Sequence, residues 1–185
     1  GVVLLRLGDD VDGKVQLEAF LATKPPAGAA EQAEMLIRDP RRAREPIVPE
    51  YTVTTLDGTE YSYRSLRGKV VLFDFWATWC APCLAALPDL KRLEARMEGK
   101  PFVMLSVSVD RKREVLETFL EKEGMDWPNA WDGGHEIAAL FGVDSYPTYV
   151  LVDPEGRILY RDSGWGTQAE RSLSAAVASA VKRAR

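Results

Sequence analysis

The stretch "VVLFDFWATWCAPCLAALPDL", Val70–Leu90, decides the fold of this chain. Its first part, Val70–Trp76, is a nearly continuous apolar run, which is typical of a β-strand covered on both faces. Leucines with helical spacing follow and predict a helix over Ala81–Met97. The two cysteines of the chain, Cys80 and Cys83, fall where the predicted strand ends and the predicted helix begins.

The position of the cysteine pair predicts redox chemistry. A helix N-terminus carries about half a positive charge and unpaired N–H groups, so we expect the pKa of Cys80 to lie below its free value of ~8.5. Cys83 follows one turn later on the same face, and Pro82 suits the first helical turn. Thiol–disulfide exchange is the predicted chemistry, with Cys80 attacking and Cys83 resolving. It needs no cofactor beyond the dithiol.

A metal site is not expected, because His135 is the only histidine that could join the two cysteines as a zinc ligand.

Asp74 interrupts the apolar run of the predicted strand. Strand alternation turns its side chain inward, below Cys83. A buried carboxyl group has a raised pKa, and its predicted use is proton transfer to and from Cys83. The alternative is a structural aspartate paired with a lysine.

The rest of the chain predicts an α/β sandwich. A hairpin is expected around Asp57-Gly58, which is a turn signal between two short strands. The later predicted elements are a strand at Phe102–Val109, helices at Glu114–Glu123 and Glu136–Phe141, strands at Thr148–Val152 and Arg157–Tyr160, and a helix at Thr167–Arg183 with Thr167 as its N-cap. The helix after the cysteines is expected to bury Leu84, Leu87, Leu90, Leu93 and Met97. Parallel strands come first and an antiparallel pair comes last.

Residues 1–45 predict a separate helical segment before a domain at 46–185. Two helical patterns are separated by "PPAG", and Pro46 and Pro49 mark a linker. A helix, a turn and a second helix match the last unit of a tetratricopeptide-like array. A plain helical hairpin explains the pattern equally well.

Composition excludes some partners. The 185 residues carry a net charge of −4 and no long basic run, so we expect no nucleic-acid partner. No apolar run approaches the ~20 residues of a membrane span, so membrane attachment would need an anchor outside this sequence. No signal peptide is visible and no initiator methionine is present. We interpret the sequence as a piece of a longer protein.

The segment "FDFWATWCAPC" resembles the active site of the thioredoxin superfamily. Together with "RGKVVL", it is most similar to thiol–disulfide oxidoreductases of the TlpA/ResA type, over about residues 47–185. The resemblance implies a thioredoxin-like fold, in which helices flank a central mixed sheet. It also implies an N-terminal hairpin, an inserted helix and strand within Asp110–Asp132, and Pro88 inside the long helix.

The resemblance also implies where substrate binds. The bond Tyr146-Pro147 is expected to be cis and to expose backbone beside the thiols, where a substrate chain could pair as an added strand. The expected substrate-binding residues are Trp79, Ala81, Pro82, Tyr146 and Pro147. His135 is interpreted as a surface or capping residue.

Two positions depart from the family pattern. Ala86 stands where many relatives carry a glutamate, which argues against specialised apocytochrome maturation. Asp74 matches thioredoxin, whereas TlpA/ResA-type proteins more often carry asparagine there.

The predicted function is a thiol–disulfide oxidoreductase that reduces protein disulfides. The resemblance implies an extracytoplasmic location and an upstream redox partner, of which a membrane reductase is one example. One alternative is an interaction module built on a helical-repeat scaffold. Another is a thiol peroxidase. Peroxiredoxins place a threonine three residues before the reactive cysteine, and the presence of Ala77 at that position argues against this alternative.

Overall fold

The structure, a computed structural model, describes residues 1–184, which fall into two compact units divided after Ile47. The helices are α1 (Val2–Arg6), α2 (Asp10–Ala22), α3 (Ala27–Arg38), α4 (Ala81–Met97), α5 (Arg113–Glu123), α6 (Glu136–Leu140) and α7 (Thr167–Arg183). The strands are β1 (Thr52–Thr54), β2 (Glu60–Ser62), β3 (Val70–Trp76), β4 (Phe102–Ser108), β5 (Asn129–Trp131), β6 (Thr148–Val152) and β7 (Ile158–Ser163). None of the helices within residues 1–184 has both the length and the apolarity to cross a bilayer.

The first unit consists of α1, α2, α3 and a 3-10 turn at Pro40–Ala43. Its own small core contains Leu5, Leu17, Ala33 and Leu36. Gly13 of α2 lies against Leu5, since a Cβ there would overlap the leucine side chain. Near the end of the unit, the Arg44 side chain donates a hydrogen bond to the Asp10 carboxylate at the start of α2, at 2.6 Å. Two helices were predicted here, and α2 ends before "PPAG" as expected, whereas α3 begins within it, at Ala27. The helix α1 was not predicted. The repeat interpretation of this segment stays a prediction.

The second unit contains a five-stranded mixed sheet in the order β5-β4-β3-β6-β7. β3 pairs in parallel with β4 and antiparallel with β6, and all seven of its residues are buried. β3 is therefore the central strand that its apolar run predicted. β6 and β7 form the predicted antiparallel pair.

Two layers cover the sheet. On one face, Phe73 of β3 packs against Phe141, which follows α6, and against Tyr51, which precedes β1. On the other face, Trp76 packs against Phe119 of α5, with ring centroids 5.5 Å apart. Alternation places Asp74 on the same face as Trp76.

The layer on the Asp74 face also holds α4 and α7. Lys91 of α4 lies 3.5 Å from the carboxylate of Glu123, the last residue of α5. Arg96 of α4 lies 3.5 Å from the Ser174 hydroxyl of α7. The helix that begins at the cysteine pair therefore covers the face of the sheet that contains Asp74.

The hairpin and the insertion both agree with the predictions. β1 and β2 pair antiparallel around Asp57, which accepts hydrogen bonds from the Thr55 hydroxyl at 2.6 Å and from the Thr59 N–H at 2.9 Å. The inserted segment supplies α5 and β5, and β5 extends the sheet by pairing in parallel with β4. Pro88 lies inside α4.

Two local predictions were wrong. Gly166, not Thr167, is the N-cap of α7, and Thr167 is the first helical residue. Leu84 is 36% exposed rather than part of the buried stripe of α4. The buried face of α4 follows Cys83, Ala86, Leu87, Leu90, Leu93 and Met97. At about 100° per residue, Leu84 points well away from the middle of that face.

Candidate active site

Cys80 and Cys83 form a disulfide at the N-terminus of α4, with a sulfur–sulfur distance of 2.06 Å. Cys80 is the N-cap of the helix, and its Sγ accepts a hydrogen bond from the backbone N–H of Cys83 at 3.3 Å. Ala81 and Pro82 between them are exposed. Because a helix N-terminus stabilises negative charge, this position suits a reactive thiolate at Cys80 in the reduced enzyme.

The turn before Cys80 is held by Asp110, which sequence reasoning did not assign to the site. The buried Asp110 carboxylate accepts hydrogen bonds from the Thr78 N–H at 3.0 Å and from the Thr78 hydroxyl at 2.7 Å. The Ser108 hydroxyl also donates to it at 2.7 Å. An aspartate two residues after the end of β4 was the available signal, because the carboxyl ends of the parallel neighbours β3 and β4 meet at one edge of the sheet.

Trp79, which immediately precedes Cys80, contacts a second aromatic side chain. Trp79 is 62% exposed, and its ring meets that of Tyr146 edge-on at 6.1 Å. The Tyr146-Pro147 bond is cis, as the family resemblance implied. His135 is exposed, as expected, and its Nδ1 lies 3.2 Å from the Tyr146 hydroxyl. The fold thus brings Trp79 and Tyr146 together from distant parts of the chain.

Asp74 lies inside the protein, with 2% of its surface exposed. Its Oδ2 accepts a hydrogen bond from the Ser106 hydroxyl at 2.9 Å, whereas Oδ1 has no hydrogen-bond partner within the described residues. Burial raises the pKa of Asp74 to about 7, and the hydrogen bond from Ser106 opposes that rise. The partner of this carboxyl group is therefore a serine rather than a lysine.

Ser106 also binds a second partner. The Trp127 indole N–H donates to the Ser106 oxygen at 2.8 Å. The serine therefore links Trp127 to Asp74 in one buried hydrogen-bond chain. Ala86 is fully buried one turn after Cys83.

The fold and the disulfide at the start of α4 define a thiol–disulfide oxidoreductase of the thioredoxin-like class. The chain belongs to the AhpC/TSA family, whose sequence profile matches residues 46–161.

Curated relatives carry the same activity in their names. The thiol-disulfide oxidoreductase ResA of Bacillus thuringiensis (strain Al Hakam) is 30% identical over 122 residues, which cover 66% of this chain and 70% of ResA. ResA of Geobacillus thermodenitrificans is 30% identical over 110 residues, covering 60% of this chain and 63% of that relative.

Solved structures agree. A Chlorobium tepidum structure described as a thiol:disulfide interchange protein DsbE has a TM-score of 0.69 and 26% identity, covering 74% of this chain and 96% of the other. A thiol-disulfide oxidoreductase from Bacteroides fragilis has a TM-score of 0.61 and 30% identity, covering 70% and 98%. Fold, cysteine pair and relatives therefore indicate one class of activity.

Proposed function

We propose that this enzyme reduces disulfides in protein substrates, with Cys80 as the nucleophile and Cys83 as the resolving thiol. The observation that carries the assignment is the position of Cys80 at the N-cap of α4, where the Cys83 N–H donates to its sulfur. Cys80 and Cys83 are both buried in the oxidised enzyme, at 5% and 4% exposed, so burial does not distinguish them. The start of the helix favours the thiolate at Cys80, which is therefore the proposed nucleophile.

The proposed cycle transfers two electrons and two protons. The Cys80 thiolate attacks one substrate sulfur, and the other substrate sulfur leaves as a thiolate and takes up a proton. Cys83 loses its proton and attacks the Cys80 sulfur of the mixed disulfide. The second substrate thiol is released, and the enzyme is left with the Cys80–Cys83 disulfide.

Asp74 is the proposed acceptor of the Cys83 proton. It lies on the face of β3 that α4 covers, and Cys83 is buried in the first turn of that helix. Its pKa of about 7 suits a group that takes up and gives back a proton near neutral pH. Because the site is buried, the carboxyl is better placed than bulk water to accept this proton.

We propose that Trp79, Ala81, Pro82, Tyr146 and Pro147 contact the substrate. Trp79, Ala81 and Pro82 are exposed next to the disulfide. Within residues 1–184, the backbone N–H and C=O of Tyr146 take part in no backbone hydrogen bond. Both groups are therefore available to pair with an extended substrate segment.

The reduced enzyme must be regenerated by an upstream dithiol donor, and a membrane reductase is the proposed candidate. We also propose that the enzyme works outside the cytoplasm. The support for both is the similarity to ResA-type and DsbE-type proteins. Labelling of intact cells with a membrane-impermeant thiol reagent would test the location, because the reagent reaches the reduced cysteine pair only outside the cytoplasm.

The reduction potential of the Cys80–Cys83 pair tests the direction of electron flow. Tryptophan fluorescence in defined thiol/disulfide buffers reads the potential, since Trp79 adjoins the pair. A value near the roughly −270 mV of thioredoxin supports a reductase, whereas one near about −120 mV would make the protein a disulfide donor. Insulin reduction should disappear in Cys80→Ser. Full biological function of the Cys80→Ser variant would instead indicate an interaction scaffold. Rapid turnover of peroxide by the wild type would indicate a peroxidase.

A further inference from the structure

A groove of about 720 Å³ begins at Trp79 and extends toward α5. We call it the basic groove. Its lining residues include Thr78, Trp79, Asp110, Arg111, Lys112 and Val115. Its volume falls in the range of roughly 300–1,000 Å³ that is typical of ligand sites. Because Trp79 immediately precedes Cys80, a substrate at the nucleophile has this groove beside it.

The walls of the basic groove combine exposed apolar surface with positive charge. Trp79 is 62% exposed and Val115 is 48% exposed. Arg111 and Lys112 are also exposed, and neither forms an ion pair in the part of the chain that the structure describes. Two unpaired cations next to exposed apolar side chains favour an amphipathic, acidic ligand.

The one carboxyl group among the lining residues forms no ion pair with these cations within residues 1–184. Asp110 is 2% exposed, and its two oxygens accept the hydrogen bonds from Thr78 and Ser108. The Trp131 indole also donates to the Asp110 backbone carbonyl at 2.6 Å. These bonds hold the floor of the groove in place, so little conformational entropy is lost there when a ligand binds.

We infer that the basic groove is a specificity subsite for an acidic segment next to the reactive cysteine of the substrate protein. An aliphatic or aromatic substrate side chain packs between Trp79 and Val115, and a neighbouring carboxylate binds Arg111 and Lys112. This inference rests on the proposed reductase function and adds the class of substrate. The enzyme then selects among disulfides by the charge of the flanking sequence.

The test compares three peptide disulfides that differ only in the residues flanking the cysteine: glutamate, glutamine or lysine. Reduction by the full chain is measured as kcat/KM. Each value is divided by the rate of the same preparation with 2,2′-dithiodipyridine, a small neutral disulfide, so that loss of folded protein cancels. The wild type should prefer the glutamate peptide over the lysine peptide by about tenfold, mainly through KM, and the preference should shrink in high salt.

The Arg111→Glu/Lys112→Glu variant should reverse this order. The matched control, Arg64→Glu/Lys69→Glu, makes the same charge change at two exposed residues outside the groove and should keep the wild-type order. Equal rates for the three peptides, or a preference that the groove variant leaves unchanged, would overturn the subsite. If the wild type fails to reduce even the small neutral disulfide, the proposed function itself fails, and the subsite fails with it.

Discussion

Replacing Asp74 with asparagine should stabilise the folded, oxidised enzyme at pH 8 and have little effect at pH 4. The wild-type carboxyl group is 2% exposed and has one hydrogen-bond donor, Ser106. Asparagine has nearly the same shape and can accept the same hydrogen bond through its carbonyl oxygen. It does not ionise, so the cost of burying a charge is removed.

The magnitude follows from the difference in pKa between the folded and unfolded states. Burial raises the pKa of Asp74 to about 7, compared with ~3.9 in an unfolded chain. Below about pH 4 the group is protonated in both states and carries no penalty. As the pH rises to about 7, the unfolded state releases its proton first, so the free energy of unfolding falls by about 1.4 kcal/mol per pH unit. The total loss is on the order of 4 kcal/mol, and Asp74→Asn should regain up to that amount.

Urea unfolding of wild type and Asp74→Asn, from pH 4 to pH 8 without reductant, measures this difference. Asp57→Asn is the control, because hydrogen bonds from Thr55 and Thr59 lower the pKa of Asp57. The control should lose stability at neutral pH, with the opposite sign. If the free energies of unfolding of wild type and Asp74→Asn, plotted against pH, stay parallel over this range, the pKa of Asp74 is not raised by burial and the reasoning is refuted.

Three further changes have defined outcomes. Cys83→Ser should accumulate a mixed disulfide at Cys80 on non-reducing gels, and normal turnover would rule out Cys83 as the resolving thiol. Ser106→Ala removes the hydrogen bond that lowers the pKa of Asp74. The pH at which the rate of disulfide reduction is half-maximal should therefore rise by about one to two pH units. An unchanged half-maximal pH would count against a role for this bond. Leu105→Ala, at a fully buried position, should lower the free energy of unfolding by about 2–5 kcal/mol, and a change well below that would mean that the core repacks.

Much of the fold could be predicted because its patterns are local. The apolar run Val70–Trp76 and the helix Ala81–Met97 have the predicted bounds. The helix ends were harder, since a cap depends on the loop that leads into it, and Gly166 rather than Thr167 caps α7. The exposure of Leu84 depended on which side of α4 meets the sheet, and the leucine spacing alone did not show this.

The spacing of Cys80 and Cys83 at a strand-to-helix junction was enough by itself to determine the redox chemistry. Residues close together in the sequence are sufficient for this prediction, because the start of a helix and the distance spanned by one turn are local properties. Only the tertiary structure decided which groups tune the site. Asp74 meets Ser106 because β3 and β4 pair in that register, and Asp110 reaches Thr78 because the two strands end at the same edge of the sheet. Each contact joins residues 32 positions apart, and the packing of the sheet brings them together.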